Sequence, residues 1–352
     1  MSAIPDVQNA WIVTRAGVPS KALQFKADWP VPKKLAKGEV LVKVHAAALN
    51  PVGYKIMQWM PGFMQKIPRI AEHDLAGEIV DANGTGFTNG DQVFGWISAE
   101  LNGKTGQGAL AQYVRMPADH LVVRPPNISP VEASGVTLTG QTAYLALDMA
   151  KLEAGQTIFV NGGSTAVGTY AIQLAKAAGA KVVATASEKN EEFLRTLGVD
   201  EFIDYTKVNL AEYLTKNPPS PKYHVILDAV GLINPSLYTS SEAYLAPNGV
   251  FMSTGPLPQK GWIAEFGDFI RTVTAILRPK FLGGTKRRYS VVLLGGNIRA
   301  ALETLQKYLA DGSVKPMVDS VFAFEDALKA YERIKTHRAT GKVVVKVDPA
   351  IN

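Results

Sequence analysis

The run Gly162-Gly163-Ser164-Thr165-Ala166-Val167-Gly168 carries the clearest chemistry in this chain. Glycines let a backbone turn tightly and approach a ligand closely. A helix that starts at such a turn aims unbonded N–H groups and the positive end of its dipole at an anion. A pyrophosphate fits that arrangement, so a dinucleotide is the leading ligand, held by Gly163, Ser164, Thr165, Ala166 and Val167. The run departs from G-x-G-x-x-G, because Thr165 and Ala166 stand where small glycines are common. Further along, Ser187-Glu188-Lys189-Asn190 presents a hydroxyl and a cation where NAD-binding folds usually place an acid for the ribose hydroxyls. Ser187 and Lys189 therefore suit a 2′-phosphate, Asn190 is a further cofactor-binding candidate, and Glu188 reads as a first-turn acid favoured by the helix dipole. Tyr205 offers a ring on which an adenine can stack. Val230 in Leu227-Asp228-Ala229-Val230-Gly231, with Thr254 and Gly255, marks two more strand-to-turn exits on the nicotinamide side; taken singly, each is an ordinary packing or turn feature.

These residues need a frame that brings them to one edge. Strand patterns at Thr157–Val160, Lys181–Thr185, Glu201–Ile203, His224–Leu227 and Val250–Ser253 alternate with helical ones, which predicts a parallel, doubly wound sheet. Ahead of them lie short strands separated by turns: Glu39–Ala48, Asp74–Val80, Gln92–Gly95 and one within Gly106–Met116. The chain closes with helices at Asn297–Ala310 and Glu325–Lys335 and a strand at Lys342–Val347. Trp262, Phe266, Phe269 and Ile270 recur at helical spacing and read as core. Gly283-Gly284-Thr285-Lys286-Arg287-Arg288 reads as a basic loop, either solvated or capping a substrate cleft.

At 352 residues two domains are expected, with 47% hydrophobic and 19% charged residues in an ordinary globular balance. No apolar stretch approaches the roughly 18 residues that span a bilayer. Met1-Ser2-Ala3-Ile4-Pro5-Asp6 has neither an apolar signal core nor an arginine-rich amphipathic pattern, so a soluble cytoplasmic protein is the simplest reading. The absence of cysteine excludes disulfides and thiolate metal sites. A net charge of +6 is spread along the chain; the densest cluster, Lys280 with Lys286-Arg287-Arg288, is too small for a nucleic-acid face.

Several stretches together resemble one family. They are Ala48-Leu49-Asn50-Pro51-Val52-Gly53-Tyr54-Lys55, His73-Asp74-Leu75-Ala76-Gly77-Glu78-Ile79-Val80, Gly90–Gly95, Gly108–Tyr113, Thr139–Tyr144 and Gly341–Val345. The chain resembles the medium-chain dehydrogenase/reductase superfamily in its zinc-free quinone oxidoreductase branch. The Gly-Gly-Ser-Thr-Ala turn is similar to that of fungal trans-acting enoyl reductases. The resemblance implies an α/β protein: a GroES-like, partly open β-barrel catalytic domain from residues 1–128 and 288–352, with a Rossmann doubly wound parallel sheet inserted over 129–287. It places the cofactor, NADPH, in the cleft between them. It also puts Pro51, Thr142, Gly341 and Lys342 at the cofactor and makes Lys55, Tyr54 and Asn50 the candidate catalytic residues. Lys55 would stabilise negative charge on a carbonyl oxygen, Tyr54 would donate a hydrogen bond or proton, and Asn50 would orient nicotinamide ribose or substrate. The plainer alternatives are a solvated Lys55, a Tyr54 that packs a helix, and a Thr142 that is a helix residue beneath Tyr144.

Zinc-dependent relatives use a cysteine and the histidine of a Gly-His-Glu motif. This chain has His73-Asp74 at that place, Glu72 in place of the glycine, Gly53 in place of a commoner acid, and no cysteine. No metal is expected. The expected activity is hydride transfer from NADPH to an activated C=C (enone, enal or enoyl thioester) or a quinone, with a homodimer compatible with the class. The alternative is a catalytically weak cofactor-binding scaffold or sensor on the same fold.

Overall fold

The computed structural model describes residues 4–255, 261–295 and 298–351. The chain divides into two units: Met1–Gln141 with Gly296–Gly312 and Pro316–Asn352, and Thr142–Gly295 with Ser313–Lys315.

In the first unit, strand Glu39–Ala48 is the organising element. It pairs antiparallel with Tyr113–Pro117 along its first half, Lys342–Lys346 at its end, and Asp74–Asp81 from Leu41 to Ala48. Two register shifts against Asp74–Asp81 bend it, as bulges do, so that one strand can serve partners at both ends. The sheet of seven strands is completed by Gln92–Trp96, Leu121–Val123 and Val318–Ala323, and a three-stranded sheet orders Leu23–Pro30, Val7–Val13 and Arg69–Ile70. The register sets Ala48 opposite both Asp74 and Val344. Residues just past that point, Asn50 onward, therefore start beside Asp74 and Lys342.

In the second unit, six strands run in the order Glu201–Asp204, Lys181–Ala186, Thr157–Asn161, Tyr223–Asp228, Leu245–Ser253 and Arg288–Val291, with every pairing parallel. That is the doubly wound order. Thr157–Asn161 is buried at every position, without alternation, as a strand covered on both faces must be. Phe159, Tyr223, Ile226, Leu237, Tyr244 and Phe251 form the core around it.

Three features differ from the sequence reading. The resemblance puts the inserted domain at 129–287, whereas the contacts group 142–295 with 313–315. Helix Pro130–Ser134 packs on the strands of the first unit, and Thr137 Oγ1 and Leu138 N donate to Asp74 Oδ1. At the other end, Arg288–Val291 is the sixth strand of the parallel sheet, and the basic stretch before it is pinned: Arg287 Nε donates to Leu245 O and Lys286 N to Glu242 Oε1. Finally, Phe266 and Ile270 are not core; they are 59% and 47% exposed on the helix Trp262–Leu277, while the Trp262 side chain lies outside the described residues. No helix among the described residues is long and apolar enough to cross a membrane.

Candidate active site

Asp74 anchors a buried polar cluster in the first unit. It is 0% exposed and its carboxylate accepts four bonds. Oδ1 takes Thr137 Oγ1 (2.7 Å) and Leu138 N (3.1 Å); Oδ2 takes Asn50 Nδ2 (3.0 Å) and Lys342 Nζ (3.1 Å). Lys342 Nζ also donates to Asn50 Oδ1 at 2.6 Å. Buried charges survive when paired and hydrogen-bonded, and here each charge has its partner and further bonds to neutral groups. The Asn50 amide is spent on holding Asp74 and Lys342 together.

Glu72 lies close by in sequence and is 2% exposed. Its backbone has φ 63°, the left-handed region that costs a non-glycine residue about 1–2 kcal/mol. Oε1 accepts from Tyr331 Oη (2.6 Å) and Oε2 from the Asn50 backbone N–H (3.1 Å). Burial, the largest cause, pushes its carboxyl up to about 7; bonds from Tyr331 and Asn50 and the Lys342 charge oppose the rise, while Asp74 adds to it. The Tyr331 hydroxyl is raised well above its ordinary value, first by burial and then by Glu72.

Asn50 is the N-cap of helix Pro51–Trp59, with Pro51 at its first position. This helix carries both reactive candidates. Lys55 is only 7% exposed, so it is not a solvated surface lysine, and its Nζ lies 5.1 Å from the centroid of the Trp59 ring. Burial and, secondarily, the Lys55 charge lower the His337 imidazole. Tyr54 is 3% exposed within the apolar core, and its hydroxyl has no hydrogen-bond partner among the described residues. Burial pushes that hydroxyl up to about 12, so at neutral pH it keeps its proton.

In the second unit the strand Thr157–Asn161 opens through Gly162 to Thr165 into the helix Ala166–Ala177. Thr165 is the N-cap: its Oγ1 accepts from Gly168 N (3.0 Å) and donates to Gly162 O (2.8 Å). The first-turn N–H groups of Ala166 and Val167 have no preceding turn to bond. Gly168 is required here, since a Cβ on it would come within 2.9 Å of the Gly163 backbone. Behind the turn runs a relay across three neighbouring strands. Gly162 N donates to Thr185 Oγ1, Thr185 to Asn161 Oδ1, and Asn161 Nδ2 to Asp228 Oδ1, each at 2.9 Å. Asp228 also accepts from Val230 N and Leu232 N, and Thr254 N donates to its carbonyl, so the Val230 and Thr254–Gly255 turns are tied to the glycine turn.

Ser187 precedes the 3-10 turn Glu188–Asn190, which Asn190 ends and where Lys189 is exposed. Glu188 does not stand alone: its carboxylate is 2.8 Å from Lys207 Nζ. Tyr205 is 52% exposed, and its backbone N–H donates to Ala186 O, which puts it beside Ser187 at the sheet edge. Thr142 is 7% exposed on helix Thr137–Ala150. Gly341, with φ 93°, leads directly into Lys342. Sequence reasoning names Asn50 and Lys342 but not the carboxylate of Asp74 that joins them. It also misses the roles of Thr137, Tyr331, Asn161 and Thr185; for Asn161, Thr185 and Asp228, the available signal is a polar residue inside or ending each of three apolar strand runs.

A family model described as an alcohol dehydrogenase GroES-like domain matches residues 36–127, and one described as a zinc-binding dehydrogenase matches residues 197–345. A trans-enoyl reductase of Aspergillus terreus is 33% identical over 99% of this chain and 98% of its own length. A chloroplastic NADPH-dependent alkenal/one oxidoreductase of Arabidopsis thaliana is 32% identical over 98% of this chain and 81% of its own. Among solved structures, the quinone oxidoreductase of Coxiella burnetii superposes with a TM-score of 0.77 at 26% identity, covering 97% of this chain and 99% of that one. The zinc in the second family description finds no fitting donor set here. The chain has no cysteine, Asp74 has both oxygens committed, and His73 Nδ1 is bonded to Ile97 O at 2.8 Å. Among the described residues no group of three or more His, Asp or Glu is arranged to hold a metal.

Proposed function

The chain belongs to the medium-chain dehydrogenase/reductase superfamily, and on that premise we propose that it is a zinc-independent, NADPH-dependent reductase of activated double bonds, with enones, enals, enoyl thioesters or quinones as acceptors. The observation that carries the reading is the carboxyl edge of the parallel sheet. There a capped glycine turn stands ready for a pyrophosphate, and the next strand ends in Ser187, Lys189 and Asn190. Ser187 and Lys189 suit a 2′-phosphate, and the acid between them is already paired with Lys207. Tyr205 has half its surface open for a base to stack against. The relatives that carry enoyl reductase and alkenal/one oxidoreductase names support the acceptor class.

When bound, NADPH supplies a hydride to the electron-poor carbon of the acceptor. Lys55, held on helix Pro51–Trp59, stabilises the negative charge that develops on the carbonyl oxygen. Tyr54, protonated through neutral pH, is the candidate proton donor that completes the reduction. Asn50, Asp74 and Lys342 hold the start of that helix. Pro51 and Gly341 in the first unit are proposed as cofactor-binding residues, and Thr142 in the second as the contact for the nicotinamide carboxamide. With the acceptor already activated and the donors supplied by side chains, the reaction needs no Lewis acid.

The test is NADPH consumption across a panel of small enones, enals, quinones and acyl thioesters. Turnover with at least one acceptor class is expected. Thermal stabilisation by NADPH with no turnover anywhere in the panel would replace the enzyme with a cofactor-binding scaffold.

A further inference from the structure

Helix Pro51–Trp59 lacks the usual means of closing its own first turn. Its N-cap, Asn50, makes no side-chain capping bond, and its third position, where an acidic side chain would reach back to the N-cap N–H, is Gly53. A carboxylate nevertheless occupies that place. Glu72 Oε2 accepts from the Asn50 N–H, and an ideal Cβ on Gly53 would fall inside the Glu72 carboxyl group, 2.7 Å from Cδ and 2.8 Å from Oε2. Glu72 does this from a left-handed backbone conformation that glycine would adopt without strain, and its other oxygen is fastened to Tyr331 on helix Ala327–Lys335.

We infer that Glu72 is a positioning residue: its carboxyl group replaces the missing side chain of residue 53 as the capping acid of helix Pro51–Trp59, and by tying that helix start to Tyr331 it sets where Tyr54 and Lys55 are presented. The inference rests on the reductase reading and deepens it. It also accounts for Gly53, because any side chain there would collide with the group that does its work.

The proposal has a reciprocal test. Glu72→Gly removes the carboxyl group and relieves the backbone; the double variant Gly53→Asp/Glu72→Gly returns a carboxyl group from the helix itself. Glu72→Gly should lower kcat at least about tenfold while the NADPH dissociation constant stays within about twofold. The double variant should return kcat to within about threefold of wild type, and Glu72→Gln, which keeps an acceptor for the Asn50 N–H, should also stay within about threefold. An unchanged kcat in Glu72→Gly, or a folded double variant no better than Glu72→Gly, would overturn the inference. So would a folded Glu72→Gln as impaired as Glu72→Gly, which decides the matter if the double variant does not fold. Thermal midpoints are measured on the same proteins. Glu72→Gly should melt below wild type and the double variant at or above it, and the reverse order would count against the inference. Absence of wild-type turnover would sink the reductase reading alone, leaving the melting order to decide this one.

Discussion

Lys55 and Lys189 are the two cations on which the proposed function depends most, and one is buried while the other is exposed. Lys55 is buried on helix Pro51–Trp59, where a low dielectric would magnify what one ammonium does for a developing oxyanion. Lys55→Ala is expected to lower kcat about 100-fold, with the NADPH dissociation constant changed less than about threefold. Steady-state kinetics with fluorescence titration checks this, and an unchanged kcat removes Lys55 from the mechanism. Lys189 is exposed at the end of the second parallel strand and can act only on a ligand that binds there. Lys189→Ala should weaken NADPH about 10- to 100-fold, the worth of a charge-assisted bond, and leave NADH almost unaffected. Equal losses for both cofactors would remove the 2′-phosphate assignment. The place of Ser187 and Lys189, just past the second strand of the doubly wound sheet, is legible in the sequence because the apolar run that makes the strand stops there. The Glu72–Tyr331 bond is not, since its partners are 259 positions apart and Tyr331 belongs to none of the motif stretches.

Among the elements, those with one dominant signal could be read directly. The five strands expected in the parallel sheet all form, with ends displaced by a residue or two except at Leu245–Ser253, which starts earlier. The helix after the glycine turn starts at Ala166, because Thr165 caps it. The sixth strand, Arg288–Val291, was hidden: it is four residues long, comes after a basic loop, and becomes a strand only by pairing with Leu245–Ser253. Helix Trp262–Leu277 shows the opposite failure, where helical periodicity was sound but the inference of burial was not. The turn containing Glu72 leads to a pH prediction. Its carboxyl rises from 4.5 to about 7 on folding, so the folded state holds a proton that the unfolded state has released between those values. The stability from this group is complete below pH 4.5 and is lost as pH climbs through 7. At 1.36 kcal/mol per unit, the loss is on the order of 3 kcal/mol. Denaturation across that range should show wild type losing stability relative to Glu72→Gln as pH rises; a pH-independent difference would contradict the assignment.

Across the whole molecule, the first unit is closed by side chains from opposite ends of the sequence. Lys342, on the last strand, is buried against Asp74 and Asn50 from the early part of the chain. Lys342→Ala leaves the Asp74 carboxylate buried without its counter-charge, which typically costs about 3–5 kcal/mol, or a fall in Tm of roughly 10 °C. A change below about 2 °C would show that the pair contributes little. This long-range closure is why the motif-bearing segments could be recognised separately in sequence while their joining carboxylate could not. The absence of cysteine, the engaged His73 and the bonded Asp74 bear on the same question for the molecule as a whole, namely whether hydride transfer proceeds without a Lewis acid. The most direct test is the rate of NADPH oxidation with an enone by protein dialysed exhaustively against a chelator. Undiminished turnover is the result expected; turnover abolished by chelation and restored by zinc would contradict the account.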